Sequence, residues 1–243
     1  MTTAPILRRL GADPGGPPPS ADWSAAIPAV AQVLRDGWDL SAVTVLVGDN
    51  GSGKSTLVEA CALAVGTGPE GGSRGSEFST RPTESDLWRR LVAERSPGAT
   101  RRAFFLRAET AHAFYTYLED NPGMRPEPVF HEMSHGESFL ALVGDRMKKP
   151  GLYLLDEPES ALSFHGCLAL LAHLHALVAS GSQVILSTHS PVLAALPGAQ
   201  IWELGEWGMR RSAWEDLELV RAWRGFLDDP ARYLRHVLDD APA

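Results

Sequence analysis

Uninterrupted apolar runs, rather than alternating ones, dominate the hydrophobic pattern of this chain. "VTVLVG" (43–48), "RAFFLRA" (102–108), "GLYLLDE" (151–157), "QVILSTH" (183–189) and "QIWEL" (200–204) are short and rich in aliphatic or aromatic residues. Runs of this kind predict strands buried on both faces. Between them the pattern predicts helices at about 55–65, near 110–120 and at about 162–179. Strands alternating with helices make an α/β fold, a mainly parallel sheet flanked by helices. Residues 11–20 read as a Pro/Gly loop, 66–86 as a mobile Gly/Ser/Thr-rich loop and 122–128 as a Pro-rich turn. Toward the C-terminus Trp214, Leu217, Val220, Trp223 and Leu227 recur at roughly helical spacing. A helical tail is therefore expected over 205–243, its apolar stripe covering the parent domain.

Composition narrows the class. A chain of 243 residues, 44% hydrophobic and 21% charged, suits one domain, with a short helical subdomain embedded at about 110–150. The formal net charge of -8 argues against a broad nucleic-acid-binding face, though not against a local patch. Cys61 and Cys167 lie in apolar helical patterns and read as reduced thiols of a cytoplasmic protein. The N-terminus lacks the apolar run of a signal peptide. No apolar stretch approaches the roughly 20 residues of a membrane-spanning helix, so a soluble chain is expected. Only Lys54, Lys148 and Lys149 are lysines, against nineteen arginines. A lysine at a special position is thus not there by composition alone.

That lysine sits in "GDNGSGKST" (48–56), which fits G-x-x-x-x-G-K-[ST] between a buried strand and a helix. Gly48, Asp49, Asn50, Gly51, Ser52, Gly53, Lys54, Ser55 and Thr56 are the expected nucleotide-binding residues. Glycines at 48, 51 and 53 let successive N–H groups turn toward phosphate oxygens, and the helix N-terminus adds positive potential. Lys54 would bridge the β- and γ-phosphates of ATP, and Ser55 would give its hydroxyl to Mg²⁺. Such a site needs a metal-positioning carboxylate on a neighbouring strand. "LYLLDEPES" (152–160) offers Asp156 for the metal and Glu157 to polarise the attacking water.

A competing signal is "HEMSH" (131–135), a match to the zinc pattern H-E-x-x-H. That chemistry needs His131 and His135 one turn apart on a single helix. Ser134 followed three residues later by Glu137 instead forms a capping box, so the helix is expected to start after Ser134 and exclude His131. The bland readings are kept for His165, His173 and His175, as residues of an apolar helix. Trp23 or Trp38 is a candidate adenine platform or simply core. Arg107 either senses phosphate or makes a surface ion pair.

In order and spacing, the motifs over 43–190 resemble those of a soluble ATP-binding-cassette ATPase with a P-loop NTPase fold. "MSHGES" (133–138) stands at the family signature: Ser134 and Gly136 match, His135 replaces a glycine and Glu137 a glutamine. In "ESALS" (159–163), Ser163 stands where an aspartate is common. His189 in "STHS" (187–190) resembles the switch histidine that contacts the γ-phosphate. "FLRAET" (105–110) lies where a metal-contacting glutamine is expected, and Glu109 is its best substitute. The tail "FLDDPARYLRHVL" (226–238) resembles a group of bacterial AAA family ATPases.

The resemblance implies ATP and Mg²⁺ as ligands, and catalysis by Glu157, His189 and Lys54. It also implies an ATP-dependent homodimer in which Ser134, Gly136 and Glu137 of one copy cap the nucleotide held by the other. Only 24 residues separate Glu109 from Ser134, too few for the larger helical subdomain of transporter subunits or for a coiled-coil insertion. By analogy alone, a nucleotide switch in DNA maintenance or defence is expected, with an effector protein or DNA as partner. The alternatives are the ATP subunit of a membrane transporter and an ATP sensor that barely hydrolyses.

Overall fold

The computed structural model describes residues 4–16, 23–68, 71–73, 85–120 and 133–238. In chain order its elements begin with β1 (Leu7–Ala12), α1 (Pro28–Asp36), β2 (Trp38–Asp39), β3 (Val43–Gly48) and α2 (Lys54–Ala64). Next come β4 (Gly72–Ser73), β5 (Leu91–Arg95), β6 (Ala103–Arg107), α3 (Ala111–Asp120) and α4 (His135–Arg146). They are followed by β7 (Leu152–Asp156), α5 (Phe164–Ala179), β8 (Gln183–Ser187) and α6 (Pro191–Ala194). The last are β9 (Gln200–Gly205), β10 (Gly208–Arg211), α7 (Glu218–Asp228) and α8 (Pro230–Leu238).

The main sheet has the order β10-β9-β3-β8-β7-β6-β4. Its five inner strands run parallel, and the two edges, β10 and β4, are antiparallel to their neighbours. Each inner strand buries alternate side chains on opposite faces. Val43, Val45, Phe104, Leu106, Tyr153, Leu155, Val184 and Leu186 pack with α3, α4 and α5. Leu46, Phe105, Leu154 and Ile185 pack on the other face with α1 and α2. The expected continuous apolar runs therefore correspond to strands covered on both sides. At about 25 cal/mol per Å², this two-sided burial is the main stabilising term.

A second, three-stranded antiparallel sheet, β2-β1-β5, packs on the α1/α2 side and was not foreseen. Buried Gln183 ties it to the main sheet: its amide nitrogen donates to the Leu7 and Ser41 carbonyls, both at 2.8 Å, and its oxygen accepts from Leu7 N–H at 2.7 Å.

The C-terminal expectation needs correction. Residues 208–211 form β10, an antiparallel partner of β9, and after a single 3-10 turn at Trp214–Asp216 the α-helix begins at Glu218. The Gly205–Gly208 turn returns the chain along β9, where backbone pairing overrides any helical pattern. In the loop expected at 66–86, Gly72 and Ser73 pair with β6, while residues 69–70 and 74–84 lie outside the described residues. The Pro-rich turn at 122–128 is also outside them.

Candidate nucleotide site

Parallel strands expose their carboxyl ends along one edge, where a doubly covered sheet binds ligands. Here the register sets Arg107, Asp156 and Ser187 level on β6, β7 and β8. The loop after β3 joins them at that edge and leads into α2.

In the loop, Gly51 and Gly53 adopt φ of 80° and 100°, the left-handed region that side chains disfavour. Space also matters at Gly53, because an added Cβ would lie 2.8 Å from Ile27 Cγ2. Gly53 caps α2 without a side-chain hydrogen bond, which leaves the first-turn N–H groups facing the loop. The Lys54 ammonium is tucked against the loop and donates to the carbonyls of Gly48 and Asp49 at 2.8 and 3.0 Å. Burial lowers its pKa, opposed by the nearby carboxylates of Glu157, Asp156, Asp49 and Glu159. Ser52 Oγ is buried without a hydrogen-bond partner, an orphan polar atom in a loop suited to an anion.

Two adjoining cavities share Ser55 and Glu157. One, of about 210 Å³, is lined by Trp23, Asn50, Gly51, Gly53, Lys54 and Thr56 as well. The other, of about 170 Å³, adds Arg107, Glu109, Asp156 and Ser160. Ser55, Glu109, Asp156 and Glu157 thus line one space with hard oxygen donors, the type that Mg²⁺ prefers, though among the described residues no three His, Cys, Asp or Glu side chains converge as a metal-binding group. The donor chemistry fits the metal.

Asp156 is buried and fully engaged. Its Oδ1 accepts from Ser187 Oγ, and its Oδ2 accepts from Arg107 Nε at 2.9 Å. Glu157 is the sole non-glycine residue with positive φ among the described residues, at φ 48° and ψ 49°. Its N–H donates to the Ser187 carbonyl at 3.1 Å, which holds the turn. Backbone strain of this kind costs about 1 kcal/mol or more, and it concentrates at functional sites. The carboxylate then lies 3.3 Å from His189 Nε2. His189 is fixed in turn by its backbone N–H, which donates to the carboxylate of Glu159. Burial raises the Glu159 pKa.

At the signature, α4 starts at His135 with Ser134 as an extended N-cap, φ -63° and ψ 157°. The Ser134 backbone N–H donates to Glu137 Oε2 at 3.0 Å, and Ser134 Oγ lies 2.6 Å from the same oxygen. The hydrogen bond from Ser134 pulls the Glu137 pKa below its usual value. The helix starts at His135, after the Ser134 N-cap, as the capping box predicts; His131 and Glu132 of the zinc pattern lie outside the described residues. Ser134, Gly136 and Glu137 line neither cavity at the phosphate loop. Gly136 packs beside the turn after Asp156, where an added Cβ would be 3.3 Å from the Ala161 carbonyl oxygen.

Comparison with known proteins agrees with these motifs. A family model described as "AAA domain" matches residues 40–106, and one described as "AAA domain, putative AbiEii toxin, Type IV TA system" matches residues 116–195. A "Putative ABC transporter ATP-binding protein" of Streptomyces avermitilis is 32% identical over 170 residues, covering 63% of this chain and 30% of the relative. A protein of the same description from Streptomyces coelicolor is 30% identical over 213 residues, 77% of this chain and 37% of the relative. These matches support an ABC-type P-loop ATPase.

The chain spans about a third of the length of those curated relatives. Among solved structures it is similar to the SMC head domain from Thermotoga maritima, with TM-score 0.42, 14% identity, and coverage of 73% of this chain and 93% of that one. It is also similar to a bacterial Atm1-family ABC exporter with ATP bound, with TM-score 0.45, 18% identity, and coverage of 78% and 38%. No described helix of the chain is long and apolar enough to cross a membrane. Of the two candidate adenine platforms, Trp38 is core, 1% exposed, whereas Trp23 is 65% exposed beside the phosphate loop. Arg107 is not a surface pair but a buried one. The sequence offered no signal for its partner Glu59, which faces the site from α2.

Proposed function

We propose that this ATPase binds Mg-ATP at the phosphate loop, hydrolyses it, and dimerises head to tail around two nucleotides as a switch. The observation that carries the reading is the convergence of Lys54, Ser55, Asp156 and Glu157 on two adjoining cavities. Lys54 and the loop N–H groups would take the β- and γ-phosphates, and Trp23 would flank the base. Ser55, Asp156 and Glu109 would hold Mg²⁺, which supplies charge neutralisation as the phosphoryl group transfers. Glu157 is the base: its carboxylate accepts a proton from the water that attacks the γ-phosphorus. His189 Nε2, 3.3 Å from that carboxylate and without a hydrogen-bond partner, would hydrogen-bond the γ-phosphate.

Dimerisation follows from the signature. Ser134, Gly136 and Glu137 stand at an exposed helix N-terminus outside the cavities, so a second copy would bring them to the triphosphate. Cytoplasmic action in DNA maintenance or defence, through an effector protein or DNA, is the biological reading; the family description naming an AbiEii toxin supports defence.

A second reading, the ATP subunit of a transporter, is favoured by the names of the two Streptomyces relatives. A third, a slow ATP sensor, is favoured by Glu137, whose charge would face a triphosphate. Phosphate release should be measurable in the wild type and fall at least a hundredfold in Glu157→Gln. Pull-down with that variant then separates the roles. DNA or a nuclease supports the first, integral membrane proteins the second. Flat hydrolysis with intact ATP-dependent dimerisation supports the sensor.

A further inference from the structure

Arg107 ends β6 directly opposite Asp156 in the parallel register. Its guanidinium is shared between two carboxylates: Nε donates to Asp156 Oδ2 at 2.9 Å, and Nη2 donates to Glu59 Oε2 at 2.8 Å. The three side chains are 17%, 5% and 11% exposed, so this is a buried pairing rather than a solvated one. Glu59 follows Ser55 by four residues on α2, which puts both on the same helix face. Arg107 also lines the cavity that holds Ser55, Glu109, Asp156 and Glu157. A planar fork can serve two carboxylates at once, whereas a lysine ammonium is a single point charge.

We propose that Arg107 is a positioning residue that competes with a divalent cation for Asp156, and that Glu59 sets how strongly it competes. The inference rests on the Mg-ATP reading of the site and deepens it. Asp156 has one oxygen committed to the guanidinium and the other to Ser187 Oγ, so its charge is already compensated. A hydrated cation gains Asp156 only as the guanidinium shifts its weight to Glu59. Without the Glu59 charge, Arg107 has only Asp156 and holds it harder. Without both, Asp156 is released to the metal. The two changes therefore act in opposite directions, which a merely structural role does not produce.

The test uses the full chain and N-methylanthraniloyl-ATP fluorescence, with MgCl₂ titrated at fixed nucleotide. Glu59→Gln should raise the half-saturating Mg²⁺ at least threefold. The double variant Glu59→Gln/Arg107→Gln should lower it at least threefold, while nucleotide affinity in EDTA stays within twofold. Arg107→Gln alone is avoided because it removes the cation that the buried Glu59 and Asp156 carboxylates share. The double variant removes one charge of each sign, so its shift reports release of Asp156 and not net charge. Shifts in the same direction, or no shift in either, overturn the competition while leaving the nucleotide site standing. Should the double variant fail to fold, an unchanged Mg²⁺ requirement in Glu59→Gln alone overturns it. A wild-type chain that binds no nucleotide, with or without Mg²⁺, removes both readings.

Discussion

Glu203 on β9 links the sheet to the C-terminal helices, and its removal gives a sharp stability test. The side chain is 4% exposed. Its Oε1 accepts from the Glu218 N–H at 2.7 Å, at the start of α7, where Leu217 provides no side-chain cap. Its Oε2 accepts from Arg210 Nη2 and Nε at 2.7 and 3.1 Å and from Ser212 Oγ at 3.2 Å. Glu203→Gln keeps the shape and one acceptor but removes the charge and turns an NH₂ toward other donors. Hydrogen bonds to a charged group contribute about 1.5–3 kcal/mol. Arg210 is 56% exposed, which discounts its share for solvent screening, so a total loss of about 2 kcal/mol is expected. At roughly 2–4 °C per kcal/mol for a domain of this size, Tm should fall by about 4–8 °C.

Burial alone would raise the Glu203 pKa, yet the Glu218 N–H, Arg210 and Ser212 outweigh it and hold it below its usual value. A depressed carboxylate stabilises fully above the unfolded glutamate pKa, about 4.3, and loses that contribution as pH falls through the folded value. The Tm gap between wild type and variant should therefore close on acidification. Calorimetry across pH reads the gap, and hydrogen exchange should show the α7 amides opening faster. A Tm within 1 °C of wild type at neutral pH, or a gap that widens toward acid, would show that the Glu203 charge does not hold the start of α7.

Other expectations follow from the site. Gly53→Ala should weaken nucleotide binding at least tenfold by equilibrium fluorescence, because a left-handed alanine costs about 1 kcal/mol and its Cβ would meet Ile27 at 2.8 Å. Glu137→Gln preserves the capping box but removes a negative charge that would face the second copy's triphosphate. Removing that repulsion should tighten ATP-dependent dimerisation, read by light scattering. Burial pushes the Cys61 thiol up to about 12 and also raises that of Cys167, so neither should react with a thiol reagent in the native protein. Both should react in guanidinium.

The sequence disclosed the parts of the molecule whose signals are local. β3, β6, β7 and β8 were legible because burial on both faces leaves a largely apolar run, whereas β9, "QIWELG", also carries Gln200 and Glu203. The loop at 48–56 was legible because its glycines, lysine and serine meet demands made within nine residues. β1 and β5, "LRRLGA" and "LVAER", mix charged and apolar positions on a partly solvated sheet, so they gave no such run. "GMRR" is a strand only because β9 lies beside it. Arg107 was visible as a residue, but its fate depended on the register between β6 and β7 and on Glu59, 48 positions away. The start of α7 is set by Glu203, 15 residues earlier, which no local capping rule contains.

In the proposed dimer, one copy's signature completes the other's phosphate site. Sedimentation velocity of the Glu157→Gln protein with Mg-ATP tests it most directly. The expected result is a dimer with one nucleotide per chain that reverts to monomer in EDTA or upon Ser134→Arg. A nucleotide-loaded species that remains monomeric at high micromolar concentration would contradict it.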